Sequence, residues 1–346
     1  MDNIAHALVG AALGRAIADR HVPAAAVIGG IAANLPDIAE IFTGYFGWSR
    51  PERVLNHRGI THSLVGALVE IVVVTLIVGW AVRRQPAKPP WRWITTLVAI
   101  TLLSHLFMDW QGSYGWRPFL PWNATWYYLD WVAIADPFFW ILPLLVLAWG
   151  ADRHWLPLSA VVITGGLVVL IIAQYLRTGG RVSGWVLPLC ALMAIVGAIG
   201  WIQFWFGPVL RQRIATLGIV ILAVYSVAQG IAVQNRKREI ARQAMHRFGA
   251  TATWAALTNI GAPFTWDGMY ASSDTVVAEH WQVPRNLTNP AVARVLRETA
   301  DGRAIAQFAR FLTARVEPTD SVVDVWDSRY ARGPGDGWTV VRIRRW

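Results

Sequence analysis

Residues Ser63 to Val82 read SLVGALVEIVVVTLIVGWAV. A predominantly apolar run of about 20 residues is what a helix needs to cross the hydrocarbon core of a bilayer. Trp93 to Trp110 is a second such run, and others lie near 133–149, 157–176, 185–206 and 214–233. Of the 346 residues, 55% are hydrophobic and 15% are charged, too apolar and too weakly charged for an ordinary soluble domain. The sequence predicts a mostly α, polytopic membrane helical bundle of about six to eight helices over residues 1–233. From Gln234 onward charged residues become frequent. Ser321–Trp326 and Trp338–Ile343 alternate like strands, and Arg294–Ala314 has helical spacing. A small extramembrane α+β domain is therefore expected over 234–346.

On the N-terminal side of Ser63, Ala5–Ala18 reads as a short Ala- and Gly-rich helix broken by His21-Val22-Pro23. Pro23 suits a helix start, and a second helix is expected to run to about Phe42. Thr43–Asn56, Arg83–Pro90 and the aromatic stretch Gln111–Trp131 read as loops. Many of the 21 tryptophans sit at run ends, where an amphipathic ring anchors at the headgroup level. The net charge of +10 comes from basic residues flanking apolar runs. The densest group, Arg236-Lys237-Arg238 with Arg242 and Arg247, directly follows an apolar span. Such placement points to the bilayer surface rather than to nucleic acid. The single cysteine, Cys190, rules out an intrachain disulfide and a thiolate metal cage. No cleavable signal peptide is expected, because Asp2 and His6 stand where a basic segment would be.

Imidazoles and carboxylates gather at the ends of these runs: His6, Asp37, His57 and His62, His105 and Asp109, then Asp130 and Asp136. Each has an ordinary reading. His6 can be interfacial, Asp37 can cap a turn, His57 and His62 can be loop residues, Asp109 can be solvated, and Asp136 before Pro137 can cap a helix. Chain parity favours convergence instead. In an antiparallel hairpin the start of one helix meets the end of the next, so His6 should meet Asp37. By the same logic His57 and His62 should meet His105 and Asp109. The last two are four residues apart and share a helix face. Nitrogen and carboxylate donors without thiolates suit zinc or a similar divalent cation, one or two ions in number. Arg58 is a candidate clamp for a phosphate or carboxylate oxygen. His57 or a carboxylate could act as general base.

Asp2-Asn3-Ile4-Ala5-His6, Asn34-Leu35-Pro36-Asp37-Ile38, His57-Arg58-Gly59-Ile60-Thr61-His62-Ser63, Ser104-His105-Leu106-Phe107-Met108-Asp109 and Ala135-Asp136-Pro137 together resemble the YdjM-like bacterial inner-membrane proteins. That family is described as membrane-bound, predicted metal-dependent hydrolases and as LexA-binding, inner-membrane-associated hydrolases. The resemblance covers roughly the first 140 residues. The order of residues is also distantly similar to zinc-dependent phospholipase C. There the last Asp bridges metals, which would give Asp109 that role with His6, Asp37, His62 or His57, and His105 as ligands. The later His and Glu ligands of the soluble enzymes have no full match here.

The expectation is a multi-pass inner-membrane hydrolase that acts on a phosphoester, a lipid included, at the membrane surface. The expected metal set is His6, Asp37, His57, His62, His105, Asp109 and Asp136, with Asp109, Arg58 and His57 catalytic. The rival is a non-enzymatic, metal-stabilised scaffold or regulator whose C-terminal domain binds a protein partner. Transport is disfavoured because the later spans are nearly free of ionisable residues. Four spans between Asp109 and Gln234 would return the chain to the same membrane face. Basic residues flank both faces, so the positive-inside rule does not orient the chain.

Overall fold

The computed structural model describes residues 1–84, 86, 88–149, 166, 173, 182–203, 206–317, 322–335 and 337–344. These form two compact units, one of residues 1–38, 60–232 and 258–265, the other of 39–59, 233–257 and 266–346. The apolar run expected near 157–176 lies outside the described residues, apart from positions 166 and 173.

The first unit is helical. Helix α1 (Asn3–Ala18) is capped by Asp2, whose carboxylate accepts from the backbone N–H of Ile4 and Ala5. Helix α2 (Ala25–Ala32) packs along it with almost no side chain between the backbones. A Cβ at Gly29 would collide with the carbonyl oxygen of Gly10, and one at Gly14 with that of Ala25. Small residues four apart are what allow two apolar helices to approach this closely. The single helix expected from Pro23 to Phe42 is divided. After α2 the chain turns at Asn34 and resumes as α3 (Leu35–Ala39) and a 3-10 turn, Glu40–Thr43. Pro36 supplies no N–H and cannot continue the preceding ladder, while the Asn34 amide donates to the Gly30 carbonyl oxygen.

Helix α5 (Leu64–Val82), capped by Ser63, and helix α6 (Trp91–Gln111) form the next antiparallel pair. On α6, Leu97, Thr101, His105 and Asp109 recur at every fourth residue and are buried, while Ile100, Leu103 and Phe107 point outward. The buried stripe of α6 packs on α1 and α2 as well as α5. On α5, Leu68, Val72, Leu76 and Trp80 are exposed, a face suited to lipid. Helices α7 (Pro137–Ala148), α8 (Val186–Gln203) and α9 (Pro208–Phe248) follow. Helix α9 does not stop at the end of its apolar half. With no Gly or Pro between Ile231 and Phe248 it continues through the basic segment for 41 residues. By length and composition three helices can cross a membrane: Leu64–Val82, Trp91–Gln111 and Pro208–Phe248. A fourth is added if the bent pair Ala25–Ala32 and Leu35–Thr43 counts as one span.

The second unit holds two antiparallel sheets. Strands β1 (Thr253–Thr258), β2 (Trp266–Ala271), β3 (Thr275–Ala278) and β4 (Trp281–Pro284) form a meander in chain order. Strands β5 (Leu312–Val316), β6 (Val322–Asp327) and β7 (Val341–Arg344) form the other, with Val325 paired to Ala314 on one side and Val341 on the other. Two short helices, α10 (Pro290–Glu298) and α11 (Ala300–Phe308), lie between the sheets in sequence. Residues 39–59, expected in the membrane domain, belong to this unit. They contain helix α4 (Arg50–Asn56), set by a capping box between Ser49 and Glu52, where a loop was expected. Ser49 also donates to Asp301 at 2.6 Å, and Arg50 to the Trp338 carbonyl oxygen at 2.8 Å.

Gly29→Val should lower the thermal unfolding midpoint in detergent, since overpacking costs about 1–3 kcal/mol. Gly47→Ala should leave the midpoint unchanged, because an added Cβ at Gly47 meets nothing within 4 Å.

Candidate metal centre

Five of the expected residues meet inside the first unit. Helix α1 contributes His6, α3 contributes Asp37, the 3-10 turn Ile60–His62 contributes His62, and α6 contributes His105 and Asp109. The three imidazoles are fully buried, and Asp109 nearly so. Nε2 of His62 lies 3.0 Å from Nε2 of His105 and 3.2 Å from Oδ1 of Asp37. Oδ2 of Asp109 lies 3.4 Å from the first nitrogen and 3.6 Å from the second. His105 Nε2 lies 3.8 Å from Asp37 Oδ1. Ligands bound tetrahedrally at zinc-like distances stand about 3.3 Å apart. Five of the six distances among these four atoms thus run from 3.0 to 3.8 Å, close to that value.

Asp37 Oδ1 is buried without a well-directed hydrogen bond despite its ion-pair distance from His62. Two ring nitrogens facing at 3.0 Å can share only one proton or one cation. The opposite edges of both rings are held. Nδ1 of His105 lies 2.7 Å from the Ala33 carbonyl oxygen, which can only accept, so Nδ1 carries the proton and Nε2 the lone pair. Nδ1 of His62 lies 3.0 Å from the Thr61 hydroxyl. Such outer partners are what orient metal-binding imidazoles.

Asp109 faces two ways. Its Oδ2 joins the set above, while its Oδ1 lies 3.2 Å from Nε2 of His6 and also contacts the amino group of Met1. The His6 ring stacks on His105 with centroids 3.8 Å apart. Two groups of donors wholly within the first unit can each hold an ion: Asp37, His62 and His105, and His6, His105 and Asp109. Burial alone lowers the affinity of the His62 imidazole for a proton. The hydrogen bonds to Asp109 and Asp37 outweigh burial and raise its pKa to about 9.

Asp136, His57 and Arg58 stand outside that set of five. Asp136 caps α7, accepting from Phe138 N–H at 2.9 Å and from the Tyr225 hydroxyl at 2.7 Å. Burial pushes its carboxyl up to about 6 against those hydrogen bonds. It is absent from the donor groups above, consistent with the capping role its place before Pro137 allows. His57 and Arg58 belong to the second unit. There Glu40 lies 3.2 Å from the His57 ring and accepts from the Arg58 backbone N–H at 2.9 Å. Glu40, Thr61 and the Ala33 carbonyl were not singled out from the sequence. Only Thr61, directly beside His62, carried a signal that could have found it.

Thr61→Val should weaken metal affinity about 10- to 100-fold, the usual effect of losing an outer partner, without loss of fold. A chelator-competition titration measures it. His62 must also lose its proton before Nε2 can bind an ion, so apparent affinity should fall as pH drops below about 9. A pH-independent affinity would exclude His62 as a ligand.

The family model of the YdjM inner membrane protein matches residues 1–206, which include all five converging residues. The Bacillus subtilis (strain 168) protein named Uncharacterized protein YfhP is 32% identical over 95 residues, 28% of this chain. The chain spans 28% of the length of that curated relative. No solved structure matches the chain. The match over more than half of the sequence, together with the membrane-length helices, makes this chain a member of the YdjM inner membrane protein family.

Proposed function

We propose that this protein is a membrane-bound, metal-dependent hydrolase acting on a phosphoester, with lipid phosphoesters among the candidate substrates, at the membrane surface. The observation that carries the reading is the close approach of His62, His105, Asp37 and Asp109 donor atoms in a buried place. Imidazole with carboxylate, and no thiolate, favours zinc among common divalent ions. A divalent ion held there would lower the pKa of its water to about 7 and polarise a phosphoryl oxygen.

In this reading His62, His105 and Asp37 hold the first ion. Asp109 offers Oδ2 to it and turns Oδ1 toward His6, the arrangement a bridging carboxylate needs for a second ion. Charge sets the ion number. Asp37 and Asp109 together neutralise one divalent cation, and a second would leave two positive charges for an anionic substrate to balance. Arg58 and His57 keep their proposed roles, oxygen clamp and base, on their closeness to His62 in the sequence.

One observation favours a second reading. Four protein ligands close a tetrahedral ion, whereas catalytic zinc keeps a position open. A closed centre would make the protein a metal-stabilised scaffold or regulator that binds a partner through its C-terminal unit.

Purified protein should contain one or two equivalents of zinc by elemental analysis, and His62→Ala should lose it. Asp109→Asn separates the two readings. Loss of phosphoester hydrolysis with normal insertion and a retained first ion supports the enzyme. Loss of folding together with the metal, in a wild-type protein that hydrolyses nothing, supports the scaffold. A wild-type preparation that takes up no ion on reconstitution defeats both.

A further inference from the structure

The segment between α6 and α7 is built unlike an ordinary solvated loop. Trp116 and Tyr127 exchange both backbone hydrogen bonds, at 2.9 and 2.8 Å, and close a hairpin. Its legs are tied to the ends of two membrane-length helices. The Leu64 N–H at the start of α5 donates to the Pro118 carbonyl oxygen at 3.0 Å. At the end of α6, the Trp131 N–H donates to the Gln111 carbonyl oxygen at 2.8 Å. The tip is folded, with the N–H groups of Trp122 and Asn123 both donating to the Phe119 carbonyl oxygen.

The composition of this tip is at odds with water. From Pro118 to Leu129 there is no Asp, Glu, Lys, Arg or His, and five residues are aromatic: Phe119, Trp122, Trp126, Tyr127 and Tyr128. Trp122 is 78% exposed, and Phe119 and Tyr127 are also exposed. The charged residues at its margins, Arg117 and Asp130, are buried in the protein. Ile60 and Leu64 at the start of α5, with Leu64 bonded to Pro118, and Leu103 and Phe107 toward the end of α6 are exposed as well.

We propose that the 116–127 hairpin is an interfacial anchor that seats Phe119, Trp122 and Tyr127 in the headgroup and upper acyl region of the bilayer. Three facts identify lipid as its occupant. The hairpin is fastened to two span ends, so its tip lies at the level where the apolar helices leave the hydrocarbon. Its exposed side chains are of the type enriched at that level. Apolar side chains are also exposed at the two span ends to which it is fastened. The hairpin is also joined to the metal centre, since the Trp116 indole N–H donates to the His62 carbonyl oxygen at 2.5 Å. Seating the tip in lipid therefore fixes the 3-10 turn that carries His62, and holds the centre at headgroup depth. The anchor rests on the membrane assignment and not on any hydrolytic activity.

The test uses the full chain in phosphatidylethanolamine–phosphatidylglycerol vesicles. A nitroxide is placed at Trp122→Cys in a Cys190→Ala background, and its collisions with oxygen and with a water-soluble nickel chelate are compared. Val72→Cys on the exposed face of α5 serves as the lipid standard, and Ser273→Cys in the exposed β2–β3 turn as the water standard. The expected result is chelate collision at position 122 several-fold below that at 273, with oxygen collision approaching that at 72. Chelate access equal to that at 273 would overturn the anchor. Exclusion of both reagents would overturn it too, showing that protein and not lipid covers the tip. If the cysteine variants do not fold, the unmodified protein can be photolabelled with a lipid-soluble carbene precursor. Label in peptide 118–128 is then expected, and its absence while α5 is labelled would overturn the proposal.

Discussion

The constraint on which the membrane unit depends is the burial of two carboxylates among apolar helix ends. An unpaired carboxylate out of water costs several kcal/mol even after the surroundings relax. Near neighbours of Asp37 and Asp109 are His6, His62, His105 and, for Asp109, the Met1 amino group. Neutral imidazoles cannot offset two negative charges. Beyond the Met1 amino group beside Asp109, a proton on His62 or a divalent cation can do so, and the two carboxylates raise the pKa of His62 accordingly. A cation held among these donors would answer both carboxylates and both facing nitrogens at once. A proton satisfies one edge of the set.

Convergence of these groups is prepared well away from them. The glycines of α1 and α2 bring the two backbones into contact, and that contact fixes where His6 ends up relative to the turn that starts at Asn34. The turn in turn sets Asp37 and leaves the Ala33 carbonyl free to hold His105. Helix α6 completes the arrangement with its stripe of buried residues four apart, which ends in His105 and Asp109. A side chain too large in the glycine seam would therefore act on the centre through geometry, without touching a ligand.

Much of this could be read from the chain because it follows from periodicity and parity. Helix ends on one face of a hairpin must meet, and residues 105 and 109 must share a helix face. The bend at Pro36 was equally available as a rule about proline, yet the apolar content of Ala25–Ile41 hid it. Helix α4 was hidden in the same way by its polar composition, although Ser49 and Glu52 have the spacing of a capping box. Asp136 illustrates the opposite difficulty. A carboxylate before a proline serves equally well as a ligand or as a cap, and only the placement of Tyr225, 89 residues away, shows its hydrogen-bond partner. Glu40 beside His57 could not be read at all, because it depends on a tight turn and not on a repeat.

The two oxygens of Asp109 decide what the centre can be. If Oδ2 alone is engaged, four donors surround one ion and the His6 side is only an outer partner. If Oδ1 is also engaged, His6 becomes a ligand and Asp109 stands between two ions about 3.5–4 Å apart, the spacing of two-metal hydrolytic sites. On the His6 side, Asp109 Oδ1 also contacts the Met1 amino group, which an ion there would have to displace. The stacking of His6 on His105, with Nδ1 of His6 buried and without a hydrogen-bond partner among the described residues, bears on this choice. An imidazole serving only as an outer partner through Nε2 has no need to bury Nδ1 unsatisfied. One whose position is set by an ion at Nε2 gains enough from that bond to tolerate it.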